Sequence, residues 1–337
     1  MLHPRTSWKR GRRLSHIPEL AELLQPIRAQ LDAVDALLLS TLDSAADPIR
    51  SALGDLLRGG KRLRPALVLF VAGLYGCDTV PFQHLSASLE LLHTATLIHD
   101  DVIDQATLRR GRRTLHLTWS GTTAVLGGDY LLAEAVAMTS ALGSPRLVQI
   151  LAQTLRAMCA GEIGQSLRHR QPEDLRQAYF QTVQTKSASL FAAAAEMAGT
   201  LAGAAEEHVV ALRSYGWELG IAFQMTDDIL DITGSPAVIG KDLEADLRHG
   251  LITLPTLIYL ETSHDSIAVS SVLNGQRDQP HLAAAIEAIL TSGAIEAATE
   301  ETRNHAAQAR QSLSQLVDNT WRQRLDDLVT FSIERRA

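Results

Sequence analysis

The sequence predicts an all-α protein, and three observations carry that prediction. Apolar residues make up 46% of the chain but aromatics only 4%, and the difference is filled by Ala and Leu, which favour packed helices over strands. Apolar positions recur at helical spacing along most of the chain. No stretch gives a strand signal above noise. Length alone leaves one domain or two open for 337 residues. The net charge of −7 argues against a general nucleic-acid binder, which needs a broad basic face.

The elements follow in order. Residues 1–16 carry Arg5, Lys9, Arg10, Arg12 and Arg13 with no apolar segment behind them, and read as a flexible basic arm rather than a secretory signal. Helical spacing runs from Ile17 to Leu57, with Pro48 in the first turn of a second helix after Asp47 and Gly59-Gly60 ending it. Pro65 opens an apolar helix to about Leu74, Gly76 stops it, and Pro81 begins the next. Further helices are expected at Thr122–Leu142, Pro145–Leu167, Pro172–Ala202, Glu206–Ile232 and Leu254–Glu261. The Ala-rich run Ser187–Ala205 contains Glu196 and is weakly hydrophobic for a bilayer span, so it reads as a buried core helix and no transmembrane segment is expected. A polar stretch, Thr262 to Pro280, precedes a C-terminal helical hairpin, about 281–337, formed by Leu282–Leu290 and Ala294–Asp318. The hairpin reads as an appendage of one domain spanning 17–337. Two distant cysteines, Cys77 and Cys159, indicate neither a disulfide framework nor a zinc site and suit a reducing cytoplasm.

Two acidic pentads stand out in apolar, helix-forming surroundings: Asp100-Asp101-Val102-Ile103-Asp104 and Asp227-Asp228-Ile229-Leu230-Asp231. Residues four apart share a helix face, so Asp100 with Asp104, and Asp227 with Asp231, project side by side. Uncompensated carboxylates at this density repel one another and resist burial. At helix C-termini they also oppose the macrodipole, a penalty a purely structural role leaves unexplained. Carboxylates on two facing helices suit Mg²⁺, completed by phosphate oxygens of a ligand. An exposed helix end accounts for one such pentad but not for two.

Cations are concentrated where a phosphate would lie. Of 31 Lys plus Arg only four are lysine, and three of these, Lys61, Lys186 and Lys241, occupy distinctive segments. Gly59-Gly60-Lys61-Arg62-Leu63-Arg64-Pro65 joins free backbone amides to three cations at a helix start, an arrangement suited to a diphosphate. Leu108-Arg109-Arg110-Gly111-Arg112-Arg113 follows the first pentad at once. A glycine cap with solvated arginines and a basic surface loop are the plain readings of these two segments. His93 and His99 lack the partner spacing of a metal site; His99 reads as a supporting or core histidine, and His93 is placed to reach a phosphate.

The segments GGKRLRP, LLHTATLIHDDVIDQATLRRGRRT, GGDYLLAEA, GEIGQS, KSASLF, GIAFQMTDDILDITG and GKDLEADLRHGLITLP occur in that order between Gly59 and Pro255. Together they resemble the isoprenyl (polyprenyl) diphosphate synthase family. The resemblance implies antiparallel helices around a central cavity, usually in a homodimer. It also implies that Asp100, Asp101, Asp104, Asp227, Asp228 and Asp231 hold magnesium, about three ions once substrate is bound, with manganese as a substitute. Arg109, Lys186 and Lys241 would bind the allylic diphosphate, and Lys61, Arg64, His93 and Arg110 isopentenyl diphosphate. Lys186, Ser187 and Gln224, with Asp100 and Asp227, would be catalytic, Ser187 standing where Thr is commoner. Leu251 stands where the family often has Lys, and Asp242 and Glu244 replace a common Pro and the usual Gly.

The implied reaction is head-to-tail condensation of isopentenyl diphosphate onto a geranyl, farnesyl or geranylgeranyl primer, giving an all-trans product. Leu89, Leu92, Ala95 and Thr96, up to three turns before Asp100, face the growing tail, and the small Ala95 leaves the upper tunnel open. A product of about thirty to fifty carbons is expected, with a geranylgeranyl or farnesyl product as the alternative. A partner-dependent subunit of a heteromeric synthase is a further reading, suggested by Leu251, Asp242 and Glu244. A terpene cyclase would share the acidic motifs but have no use for GGKRLRP.

Overall fold

Short turns between long apolar helices dictate the architecture of the computed structural model, which describes residues 19–109, 111–167, 174–234 and 245–335. The first helices are α1 (Leu20–Leu24), α2 (Arg28–Ser40), α3 (Asp47–Leu57), α4 (Leu63–Leu74) and α5 (Thr79–Ile103). After a β-hairpin come α6 (Leu115–Thr118), α7 (Gly121–Ala141), α8 (Pro145–Leu167), α9 (Leu175–Val183), α10 (Ser189–Leu201) and α11 (Glu206–Thr233). The remainder is α12 (Ala245–His249), α13 (Leu254–Thr262), α14 (Ile267–Leu273), α15 (Gln279–Thr291), α16 (Ala294–Leu313) and α17 (Thr320–Glu334). Connections of a few residues make α4 and α5, α7 and α8, and α10 and α11 antiparallel neighbours, as in a helical bundle.

α5 is the central helix, packed by α2, α4, α7 and α10. Its buried Leu85, Leu89 and Leu92 share a core with Leu67 and Phe70 of α4 and Leu131 of α7. A second core gathers Ile221 and Met225 of α11 with Leu257, Val272 and Ile289. The two cores flank α11, whose first half belongs to one and second half to the other. The expected burial of the Ala-rich run is observed: Leu190, Phe191, Ala194 and Met197 are all buried in α10. Among the described residues no single helix is long and apolar enough to cross a membrane.

Several expected boundaries move. The helix expected from Pro172 starts at Leu175 and is interrupted by a π turn, Gln184–Ala188, before α10. No strand was expected, yet Leu108–Arg109 pairs antiparallel with Arg112–Arg113, with Gly111 at φ +73° turning the chain between them. The polar stretch after Thr262 holds α14, whose buried face is only Val269 and Val272. α4 begins at Leu63 rather than Pro65. Arg62, its N-cap, is left-handed at φ 52°, a conformation costing a non-glycine residue about 1 kcal/mol.

The C-terminal hairpin expected at about 281–337 is three helices, and the last, α17, was not anticipated. Its N-cap Asn319 accepts from Trp321 N and Arg322 N, and the Asn319 amide donates to Leu74 O at 3.0 Å. Trp321 lies flat against Gly73, where a Cβ would come within 2.4 Å of the indole. With Leu325, Leu328 and Val329 fully buried, α17 is part of the main core, which brings Arg335 into the middle of the molecule. The basic arm, residues 1–16, lies outside the described residues.

Candidate functional site

The first pentad ends α5. Asp100 and Asp101 are buried, whereas Asp104, the C-cap, is exposed. Asp100 Oδ2 is 3.1 Å from Lys186 Nζ, which is also 3.1 Å from Glu162 Oε1 on α8. Burial raises Asp100 above the usual carboxylate range, and Lys186 offsets part of that effect. Asp101 Oδ1 accepts from Arg109 Nε at 2.9 Å and Nη2 at 2.6 Å, so the hairpin folds back onto the pentad. His99 ties α5 to α7, its Nε2 3.2 Å from Val125 O and 3.4 Å from Asp129 Oδ1.

Two glycines press the second pentad against the π turn. A Cβ on Gly216 would lie 2.4 Å from Phe191 O, and one on Gly220 would lie 2.6 Å from the Ala188 Cα. α11 therefore approaches α10 backbone to backbone, and Gln224, one turn after Gly220, meets Ser187. The Ser187 hydroxyl donates to Gln224 Oε1 at 2.6 Å, and Gln224 Nε2 donates to Asp228 Oδ1 at 3.0 Å. Asp228 Oδ2 accepts from the Tyr179 hydroxyl at 2.7 Å and from Leu254 N at 3.2 Å. Burial pushes Asp228 up to about 7, against the lowering effect of these donors. The π turn is what presents Lys186 to the first pentad and Ser187 to the second, consistent with the occurrence of such turns at functional sites.

Asp227 faces the other way. Its Oδ1 is 2.7 Å from Nη2 of Arg335, which also donates to Phe223 O at 3.0 Å while its guanidinium carbon lies 3.9 Å over the Phe223 ring. Arg335 is 3% exposed, and its Nε and Nη1 have no hydrogen-bond partner among the described residues. Phe223 and Phe191 lie 5.4 Å apart, and Arg64 sits over Phe191 at 4.5 Å with its Nε also lacking a partner among the described residues. Burial lowers Arg64 from its ordinary range, while Glu90 and Asp227 sustain its charge. The buried guanidinium of Arg335 thus pairs with Asp227, and Arg64 is near enough to feel its charge.

Of the three cations in GGKRLRP, Arg62 is structural. It binds Asp35 and Glu90, each at 2.8 Å, and the Leu57 carbonyl, contacts that hold the left-handed turn and aim Lys61 and Arg64. Lys61 is exposed, and His93 is half-buried two turns before Asp100 on the same face. Leu89, Leu92 and Ala95 are buried on α5, with Thr96 half-buried beside them. Asp231 is half-buried one turn beyond Asp227. Arg110, Lys241, Asp242 and Glu244 lie outside the described residues. Leu251 is 44% exposed.

Sequence reasoning did not single out Glu162, Tyr179 or Arg335. Tyr179 has a faint signal, lying one and two turns before Val183 and Lys186; Arg335 has none. Among the described residues no three His, Cys, Asp or Glu side chains converge tightly enough to hold an ion by themselves. The donor set is all carboxylate oxygen, which suits a hard cation whose remaining ligands come from a phosphate.

A family model described as polyprenyl synthetase matches residues 47–289. The heptaprenyl diphosphate synthase component 2 of Geobacillus stearothermophilus is 38% identical over 303 residues, 89% of this chain and 94% of that protein. A polyprenyl synthase from Caulobacter crescentus, solved with calcium and isoprenyl diphosphate, superposes with a TM-score of 0.88 at 35% identity, covering 96% of this chain and 100% of that one. A decaprenyl diphosphate synthase from Rhodobacter capsulatus superposes with a TM-score of 0.87 at 35% identity, over 95% and 100%.

Proposed function

Because the chain belongs to the polyprenyl synthetase family, we propose that it condenses isopentenyl diphosphate head-to-tail onto an allylic diphosphate and makes an all-trans polyprenyl diphosphate. The observation that carries this reading is the Lys186-Ser187 pair, which joins the two acidic pentads through Asp100 on one side and Gln224 on the other. Asp100, Asp104, Asp227 and Asp231, with Asp101, would hold magnesium, for which manganese would substitute. When bound, the metal supplies positive charge to the departing diphosphate.

The protein's own groups then have distinct tasks. Lys186 and Arg109, which now rest on Asp100 and Asp101, are set to turn to the allylic diphosphate, joined by Lys241. Lys61, Arg64, His93 and Arg110 would seat isopentenyl diphosphate. The allylic carbon–oxygen bond breaks with its electrons leaving on the diphosphate. The isopentenyl double bond supplies the pair for the new carbon–carbon bond, and a proton passes to the released diphosphate. Ser187 and Gln224 present oxygens toward the carbon on which positive charge develops.

Leu89, Leu92, Ala95 and Thr96 would line the wall along which the tail grows, and their small or aliphatic side chains support a product of about thirty to fifty carbons. The heptaprenyl and decaprenyl names of the relatives fall in that range. The exposed Val125, Leu126 and Val136 share one face of α7, which supports a homodimer. Both cysteines are free thiols, which supports a cytoplasmic location. The test is mass analysis of products from labelled isopentenyl diphosphate, magnesium and each primer, using the purified chain alone. Chains of thirty to fifty carbons support the reading, and a product that stops at fifteen contradicts its length. Activity that appears only with a second protein supports the heteromeric reading, which the "component 2" name of the Geobacillus relative favours.

A further inference from the structure

Asp228 is unlike the other five aspartates. It is 5% exposed, and three donors converge on its two oxygens: the Tyr179 hydroxyl, the Leu254 amide and Gln224 Nε2. Three inward-pointing donors favour the ionised carboxylate and occupy both of its oxygens. Asp228 therefore has a partner set of its own within the protein.

This arrangement fixes a direction. An amide can be turned end for end, but the reverse orientation of Gln224 would set its oxygen against the Asp228 carboxylate. Nε2 must face Asp228, so Oε1 must face Ser187. The Ser187 hydroxyl has one proton, and at 2.6 Å it is given to Gln224 Oε1. A hydroxyl so committed shows only lone pairs to anything else it meets. The polar chain thus runs one way from Tyr179 and Leu254 inward, and its far end is electron-rich.

We infer that Asp228 is the inner anchor of a one-way hydrogen-bond chain, rather than a metal ligand, and that Tyr179 is a positioning residue which, through Asp228 and Gln224, keeps the Ser187 hydroxyl donating to Gln224 and not to a bound ligand. The inference rests on the proposed condensation, in which positive charge develops on carbon. A Ser187 free to rotate could donate its proton to a diphosphate oxygen instead. Held as it is, its lone pairs lie toward the carbon, and the orientation is fixed before reaction, so no reorganisation is required at the transition state.

The test is a cycle of Tyr179→Phe, Ser187→Ala and the double variant, assayed at one fixed pH. Affinity for magnesium with inorganic diphosphate is measured by calorimetry alongside. Tyr179→Phe should lower kcat about tenfold in the native background, the scale of one hydrogen bond to a charged group, and less than about twofold once Ser187 is Ala. KM for both diphosphates and the metal–diphosphate affinity should stay within about twofold in Tyr179→Phe. Asp228→Asn should lower kcat further while leaving metal–diphosphate affinity in place, whereas Asp227→Asn should weaken it. Should Asp228→Asn fail to fold, the Tyr179 cycle decides alone. Additive effects of Tyr179→Phe and Ser187→Ala, or a loss of metal affinity in Asp228→Asn equal to that in Asp227→Asn, would overturn the inference. Absence of any condensation by the native chain, alone or with a partner, would instead overturn the functional reading.

Discussion

Replacing Gly220 with alanine should damage the reaction more than the fold. A Cβ there would stand 2.6 Å from the Ala188 Cα and 3.2 Å from the Phe191 Cβ, both anchored atoms that cannot swing aside. Carbon atoms prefer separations of about 3.5–4.0 Å, so α11 must retreat from the π turn by about 1 Å. The Ser187–Gln224 bond, now 2.6 Å, would then open to about 3.6 Å, past the hydrogen-bond limit. Overpacking of this kind costs about 1–3 kcal/mol of stability. A misplacement of about 1 Å at reacting groups lowers kcat about a hundredfold. The matched control is Gly54→Ala on α3, where the nearest atoms lie at an ordinary 3.8 Å and the change should be neutral or stabilising by about 0.5–1 kcal/mol. Steady-state kinetics and thermal unfolding of both variants make the comparison. A Gly220→Ala protein with native kcat would refute the claim that the close approach of α11 sets the geometry of the site.

Other predictions follow from single contacts. Asp100→Ala or Asp227→Ala should lower turnover by about a hundredfold or more while thermal unfolding stays cooperative, and near-native turnover would contradict their assignment. Arg335→Ala should cost about 1–2 kcal/mol through the lost stacking on Phe223 and the lost bond to the Phe223 carbonyl, measured by denaturant unfolding; an unchanged midpoint would show that the contact contributes nothing. Ala95→Phe should place a ring on the wall one to two turns before Asp100 and shorten the product, read by mass analysis, and an unchanged product distribution would remove Ala95 from that wall.

The sequence made most of this site legible because its chemistry is local. Each pentad lies within one helical turn, and each helix carrying one has the apolar spacing and punctuation of a long buried helix, as α5 and α11 show. GGKRLRP and the basic run were equally visible, although Arg62 proved to hold the loop rather than a ligand. What stayed hidden depends on tertiary contact. Tyr179 is one tyrosine among five until α9 sets its hydroxyl on Asp228, 49 residues away. Arg335 reaches Asp227 across 108 residues, through a helix whose polar, charged sequence gave little sign of itself. The π turn at Gln184–Ala188 leaves no periodic trace, because one inserted residue shifts the phase without changing composition. Gly216 and Gly220 lie one helical turn apart, but only the backbone approach shows why no larger side chain fits.

The central claim is that the two pentads serve one diphosphate through divalent ions, and calorimetry of inorganic diphosphate binding with and without magnesium tests it most directly. In the native chain binding should require magnesium. Asp100→Ala and Asp227→Ala should each abolish most of it, and the double variant should lose little more than either alone, because both walls complete the same site. Magnesium-independent binding, or losses from the two variants that simply add, would show that the pentads act separately and would contradict the account.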